Sequence, residues 1–295
     1  MSDRPAVFTI PSHRSFADAL AAGLIARFGK DPLGLAQGRI LLPNNRAVRA
    51  VTKAFVRASG SGLLLPRLIP VGDPELDERL GGALDRIDES EPVPPAIDPT
   101  ERLLTLASIV RGEGTAESLR LAADLARTLD ALLVDEIEPR RLEDAVTDTS
   151  DLARHWEHSL EKLQLIYEAW PGILQERGAI DLAEWRNRLL HQVAERWKHE
   201  PPSGFTVAAG ITTAAPAVAA LVARVARIPE GMVVLPGLWL SNVLPEAEWD
   251  ALGPDENKRG EATHPQFHLK LLLDRLGVAR GEVQPWRWSG GAASS

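Results

Sequence analysis

The chain has 295 residues, of which 44% are hydrophobic and 25% are charged, proportions typical of a globular protein. No run reaches the ~18 to 20 apolar residues of a membrane span, and the N-terminus lacks the basic and apolar segments of a signal peptide, so we expect a cytoplasmic protein without membrane contact. The absence of cysteine excludes disulfides, thiolate-bound zinc, iron–sulfur clusters and cysteine nucleophiles. The length predicts two domains.

The net charge of −8 is distributed unevenly. The first 72 residues contain ten basic and three acidic side chains, so this segment carries +7 and the rest of the chain carries −15. Such an asymmetry indicates a segment that faces a polyanion, although solvated helix faces give the same pattern.

The first 60 residues follow a repeated strand–turn–helix pattern. Ala6–Ile10 predicts a strand, and apolar residues at four-residue spacing then predict a helix capped by Ser12 or Ser15. Arg39–Leu42 predicts a second strand and Arg46–Arg57 a second helix. Two such units in series predict a parallel sheet. A third strand within 63–71 would lie at a sheet edge or be a loop, because its prolines cannot donate hydrogen bonds.

The pattern changes after the proline-rich segment 89–99, which predicts a linker. From there to residue 199 the periodicity is helical, and after 201 strand and helix patterns return. The helical block is therefore an insertion. We predict a discontinuous α/β domain, residues 1–95 plus 201–295, and a helical insertion domain, residues 96–200.

Four tryptophans lie within the predicted insertion: Trp156, Trp170, Trp185 and Trp197. Such rings can stack on nucleic-acid bases, but these four lie on apolar helix faces. Packing in a helical core is therefore the favoured interpretation.

The turn after the first strand is where an α/β nucleotide-binding domain carries its phosphate loop. Such a loop needs glycines that let backbone N–H groups surround the phosphates, a lysine and a hydroxyl for Mg²⁺. The residues here are Ser12, His13, Arg14 and Ser15, without glycine or lysine. This is a degenerate, inactive phosphate-loop position at which Arg14 and the helix N-terminus could still hold one anion.

The other half of a nucleotide site is missing as well. The strand 232–235 is followed by Pro-Gly-Leu-Trp, where an acidic residue would hold the metal and the attacking water. His264 and His268 have metal-ligand spacing, but no third ligand accompanies them, which favours a capping or surface role. We predict no catalytic residue, no metal site and no cofactor in this chain.

A basic helix face is the strongest candidate for binding. Arg46, Arg49, Lys53 and Arg57 share one side of the second predicted helix, and Asn44 and Asn45 precede it. A helix N-terminus with amide side chains and a basic flank can grip phosphates with little base specificity. We predict DNA binding by these six residues, and a solvated helix face remains the alternative.

Five segments together resemble a known family. They are Arg39–Ala50 (RILLPNNRAVRA), Leu65–Asp73 (LPRLIPVGD), Ile180–Leu190 (IDLAEWRNRLL), Val207–Pro216 (VAAGITTAAP), and Val233–Leu238 (VVLPGL) with His264–Phe267 (HPQF). In order and spacing they are similar to the N-terminal part of the AddB family of double-strand break repair proteins, in its alphaproteobacterial form.

This resemblance implies a RecA-like, superfamily 1 helicase-like α/β domain of P-loop NTPase type, with a parallel sheet interrupted by a helical insertion. It implies a non-motor module of the AddAB ATP-dependent helicase/nuclease, which processes broken duplex ends for recombinational repair. The implied partners are single-stranded DNA, broken duplex ends and the AddA subunit. In this family the nuclease, its iron–sulfur cluster and Mg²⁺ belong to a C-terminal domain, so no such activity is assigned here. The ending, 286–295, contains no terminating element and predicts a fragment of a longer chain.

Two other interpretations stay open at this point. One is an independent α/β domain that binds a nucleotide or a phosphorylated small molecule near Ser12–Ser15. The other is a purely structural interaction domain.

Overall fold

The computed structural model describes residues 4–31, 33–60, 62–72, 84, 92–110, 114–137, 166–253 and 260–289. The chain divides into two compact units, one formed by Met1–Ile87 with Leu190–Ser295 and the other by Asp88–Leu189. We call them the sheet unit and the helical unit. The predicted insertion, 96–200, overlaps the helical unit over most of its length.

The sheet unit is built on six parallel strands in the order β3-β2-β4-β5-β1-β6, so the predicted α/β fold with a parallel sheet is confirmed, and this sheet is consistent with a RecA-like fold. The strands are β1 (Val7–Ile10), β2 (Arg39–Leu42), β3 (Arg67–Pro70), β4 (Thr206–Ala209), β5 (Gly231–Pro236) and β6 (Gln284–Pro285). The proline-flanked β3 lies at one edge, as its sequence predicts.

Nine α-helices with more than one described residue are found in the described part of the chain. They are α1 (Phe16–Phe28), α2 (Asn45–Ser59), α3 (Pro99–Val110), α4 (Thr115–Val134), α5 with the described range 166–177, α6 (Leu182–His199), α7 (Pro216–Val225), α8 (Glu246–Asp250) and α9 (Phe267–Leu276). The start of the predicted helix 151–177 lies outside the described residues. The polar segment 249–260 predicts a loop, and the short α8 extends two residues into it.

One face of the sheet is covered by α1 and α2. Alternate strand residues, among them Ile10, Leu42 and Val234, pack against Leu20 and Phe55 of these helices. This period of two is the alternation of a pleated strand. Helix α7 contacts β4 and β5. No described residue of α7 belongs to the apolar cluster that α1 and α2 form with the sheet, so α7 covers the opposite face.

Side-chain caps differ between the first two helices. Asn44 caps α2, because its Oδ1 accepts a hydrogen bond from the N–H of Ala47 at 2.9 Å. Ser15 occupies the N-cap position of α1, but its hydroxyl donates to Asp18 at 2.6 Å and accepts no backbone N–H. Ser15 is therefore the N-cap residue, as one of the two predicted candidates, but it caps α1 without a side-chain hydrogen bond to the backbone.

The helical unit packs around apolar residues of α3, α4 and α5. Ile97 is buried in this core, and its N–H donates to the carbonyl of Ile180 at 2.9 Å. The described second half of the predicted linker is therefore part of the packed unit. Trp170 and Trp185 are buried, as predicted; Trp197 is also buried, but it packs in the sheet unit beneath Arg39. Trp156 lies outside the described residues.

Candidate nucleic-acid interface

The second helix separates apolar and basic side chains onto opposite sides. Val51, Ala54 and Phe55 are buried against the sheet. Side chains that the sequence places on one face are all exposed: Arg46, Arg49, Lys53 and Arg57. At 3.6 residues per turn these four positions fall within an arc of roughly 80°. The amphipathic pattern therefore fixes which side of α2 meets solvent, and that side is cationic.

Only one of these four cations has an acidic partner among the described residues. Arg57 Nη2 lies 2.5 Å from Asp18 Oδ1 of α1. The hydroxyl of Ser15 and the Arg57 guanidinium both stabilise the Asp18 carboxylate, which lowers its pKa below the ordinary value. Arg46, Arg49 and Lys53 form no ion pair with any residue that the structure describes. We call these three residues the basic face.

The two asparagines at the start of α2 are exposed. Asn44 uses its carbonyl oxygen to cap the helix, so its first role is structural. Asn45 begins the helix directly after β2 and its turn. The unpaired N–H groups of a first helical turn and the positive end of its dipole attract anions. The N-terminus of α2 therefore adds to the positive potential of the basic face.

The degenerate phosphate loop forms an exposed turn between β1 and α1. Ser12, His13, Arg14 and Ser15 are all exposed, and the N–H of Arg14 donates to the carbonyl of Pro11 at 3.0 Å. Gly237 follows β5 with φ of +62°, and a Cβ there would lie 3.3 Å from the Cβ of Ser12. The turn therefore packs closely against the end of β5.

The end of β5 is held by the protein's own hydrogen bonds. Gln266 is buried; its Oε1 accepts from the N–H of Trp239 at 2.9 Å, and its Nε2 donates to the carbonyl of Gly237 at 3.1 Å. The N–H of Leu238 donates to Thr9 Oγ1 at 3.1 Å. The residues directly after β5, 237–239, include no carboxylate. The side-chain amide of Gln266 binds their backbone at the position where a nucleotide-binding domain carries its metal-binding acid.

The two histidines of the 264/268 pair have different surroundings. His264 Nδ1 accepts the N–H of Gln266 at 3.2 Å, and its ring meets Trp239 edge-on at 5.7 Å between centroids. His268 is exposed. The residues that the structure describes contain no group of three or more His, Asp or Glu side chains able to hold a metal ion.

The segment 284–289 contains two short elements for which the sequence shows no pattern. Strand β6 pairs with β1, and a 3-10 helix, Arg287–Ser289, follows it within the range 286–295, where we expected no terminating element. Trp286 is 1% exposed and packs on α1, where its indole N–H donates to the carbonyl of Ala19 at 2.9 Å. Sequence reasoning missed this strand because two residues, one of them proline, show no periodicity. The closely spaced Trp286 and Trp288 were the available signal.

The chain matches no protein-family model, and a search of the curated proteins finds no match. In the described ranges, no helix combines the length and the apolar character needed to cross a membrane.

Proposed function

We propose that the sheet unit is a helicase-like module without motor activity that binds DNA phosphates through the basic face of α2. In this proposal the chain is part of an AddB-type subunit of a helicase/nuclease that repairs double-strand breaks, with an AddA-type subunit as its partner. The resemblance of the five sequence segments supports the family. The RecA-like parallel sheet is consistent with it.

The observation that carries DNA binding is the state of the three cations on the basic face. Buried or neutralised basic side chains stabilise a fold, whereas these three are exposed and unneutralised by any described carboxylate. Arg46 and Lys53 are seven residues apart, a rise of about 10 Å along the helix. A row of charges of that length can contact successive phosphates of one strand. Contacts of this kind confer affinity and little base specificity.

The two strand ends that would bind ATP support the proposed absence of motor activity. The turn at 12–15 has neither the glycines nor the lysine of a phosphate loop, and Gly237–Trp239 supplies no acid after β5. We therefore expect no thermal shift of the protein with ATP and Mg²⁺. A saturable shift at micromolar ATP would favour the nucleotide-binding alternative.

Salt dependence tests the proposal. Each phosphate contact adds about 0.7 to the slope of log Kd against log salt for single strands, so three contacts add about 2. The variant R46E/R49E/K53E should lose that slope, and between ~50 and ~200 mM salt its affinity should change about 15-fold less than that of the parent. Fluorescence anisotropy with a labelled oligonucleotide measures both quantities.

The control is R120E/R127E/K198E, which changes the net charge by the same amount at exposed basic positions outside α2. It should keep the parent's slope. Equal losses of salt slope and affinity in the two variants would show that overall charge, and not the basic face, determines DNA binding. A DNA affinity that changes neither with salt concentration nor with the α2 substitutions would refute the proposed contact between DNA and the basic face.

A further inference from the structure

An exposed tryptophan follows the last strand of the sheet. Trp288 lies in the 3-10 helix Arg287–Ser289 and is 36% exposed, the most exposed tryptophan in the described part of the chain. Tryptophan usually buries most of its ring because of its large apolar area. Trp288 keeps about a third of its surface in solvent next to Arg287, which leaves ring area that a flat partner can contact.

The Trp288 ring rests on a fixed support. Trp286 beneath it is buried, hydrogen-bonded to Ala19, and meets the ring of Phe8 edge-on at 5.5 Å. The ring centroids of Trp286 and Trp288 lie 5.2 Å apart with an interplanar angle of 55°. Because the supporting ring is immobilised, a base that stacks on Trp288 meets a largely ordered surface.

A cation accompanies the exposed ring. Arg287 is exposed and forms no ion pair with any residue in the described ranges. An aromatic face next to an unneutralised guanidinium matches the two parts of a nucleotide, a flat base and a phosphate. An apolar peptide or an uncharged lipid would leave the cation without a counterpart.

The sheet topology relates Trp288 to the basic face. All six strands are parallel, so the residues that follow β2 and β6 emerge at the same edge of the sheet. Trp286 and α2 also belong to the same apolar cluster on one sheet face. Four interstrand steps separate β2 from β6, about 19 Å at ~4.8 Å a step. A strand with ~3.4 Å between stacked nucleotides covers this distance with about six nucleotides.

We propose that Trp288 stacks a base of single-stranded DNA, that Arg287 contacts the adjoining phosphate, and that the same strand reaches the basic face of α2. This assignment rests on the DNA binding proposed above. The proposed Trp288 site would contact a base, whereas the basic face of α2 contacts only phosphates. Duplex DNA keeps its bases stacked on each other, so the site selects single strands.

Comparison of two substitutions in the full chain tests the site. W288F keeps an aromatic face, and W288L keeps an apolar side chain without one, so loss of apolar packing affects both similarly. Binding is measured with a thymidine oligonucleotide of about 12 nucleotides and with an abasic strand of equal length. We expect W288L to weaken binding to the thymidine strand on the order of tenfold, and W288F to retain most of the affinity. Neither should change binding to the abasic strand or the salt slope.

The outcomes separate the two proposals. If W288L and the parent bind the thymidine strand equally while R46E/R49E/K53E weakens binding, the stacking site is refuted and the basic face stands. An equal loss on the thymidine and abasic strands would also refute stacking. A parent protein that binds neither strand would overturn both proposals. Thermal unfolding midpoints equal to the parent's show that each variant is folded.

Discussion

A buried ion pair in the helical unit yields an asymmetric prediction for two substitutions. Arg102 Nε of α3 lies 2.6 Å from Asp181 Oδ1, and the indole N–H of Trp170 donates to Asp181 Oδ2 at 2.8 Å. The Asp181 side chain is 3% exposed, and Arg102 also reaches Asp130, which is 44% exposed. Replacing Arg102 and replacing Asp181 remove the same contact but leave different charges behind.

Burial raises the pKa of Asp181, and Arg102 and Trp170 oppose that rise without cancelling it. A raised pKa in the folded state means that the protonated carboxyl favours folding. This contribution is fully present below the unfolded pKa and is lost as the pH rises through the folded one. Whenever Asp181 is ionised, its buried carboxylate depends on Arg102 for compensation.

The sizes follow from the geometry. Two unit charges ~4 Å apart attract by about 4 kcal/mol at an effective dielectric constant of ~20, and removing one partner of a buried pair costs ~3 to 5 kcal/mol. We expect R102M to lose about 3 kcal/mol of unfolding free energy at about pH 7.5. D181N removes the buried anion itself and leaves Arg102 with Asp130, so we expect a loss of about 1 kcal/mol or less.

Native-state hydrogen exchange of α3 and α5 peptides measures these losses within the helical unit. R127M is the control, because Arg127 pairs with Asp124 on the surface, where such pairs contribute about 0 to 1 kcal/mol. The deficit of R102M should shrink at about pH 5, since Asp181 takes up a proton more readily without its cation. Equal losses for R102M and D181N, or a deficit that grows on acidification, would refute this account of the pair.

Two further predictions concern the sheet unit. In G23A the new Cβ would lie 2.4 Å from Trp286 Cζ2, so we expect urea unfolding to show a loss of ~1 to 3 kcal/mol in unfolding free energy. The control G62A places its Cβ in open space and should change the unfolding free energy by less than about 0.5 kcal/mol. Equal effects of the two substitutions would contradict the packing of Trp286 against Gly23. Carbon-detected NMR titration should find the pKa of Asp18 below its ordinary value, and R57Q should raise that pKa. The stability linked to Asp18 is present above the pKa of the unfolded state and is lost as the pH falls through the pKa of the folded state. An Asp18 pKa unchanged by R57Q would show that the ion pair does not form in solution.

Sequence periodicity predicted the elements whose residues alternate or repeat. Arg39–Leu42 was placed with both bounds correct, because an apolar run follows an arginine and ends at a proline turn. The exposed cations of α2 could be predicted equally well, since helical spacing alone places them on one side of the helix. The edge position of β3 followed from prolines that cannot donate to a neighbour.

Features made by distant residues left no local pattern. Asp181 lies just before α6 and resembles an ordinary helix cap, yet its partner Arg102 is 79 residues away. Gln266 is one polar residue in a turn, and only the fold brings it to Gly237 and Trp239. Strand β6 depends wholly on β1 for its pairing. Such contacts follow from topology, which the order of the elements leaves open.

The position of β1 between β5 and β6 bears on how the protein folds during its synthesis. β1 is made first, yet both of its neighbours are encoded after the helical insertion, from Gly231 and Gln284 onward. At ~5 to 20 residues per second, β1 waits roughly 10 to 45 seconds for its first partner. During that time Val7–Ile10 has two unpaired strand edges on the nascent chain. We expect ribosome-bound chains halted before Gly231 to bind chaperones through this segment, while the helical unit completes its core of local contacts earlier.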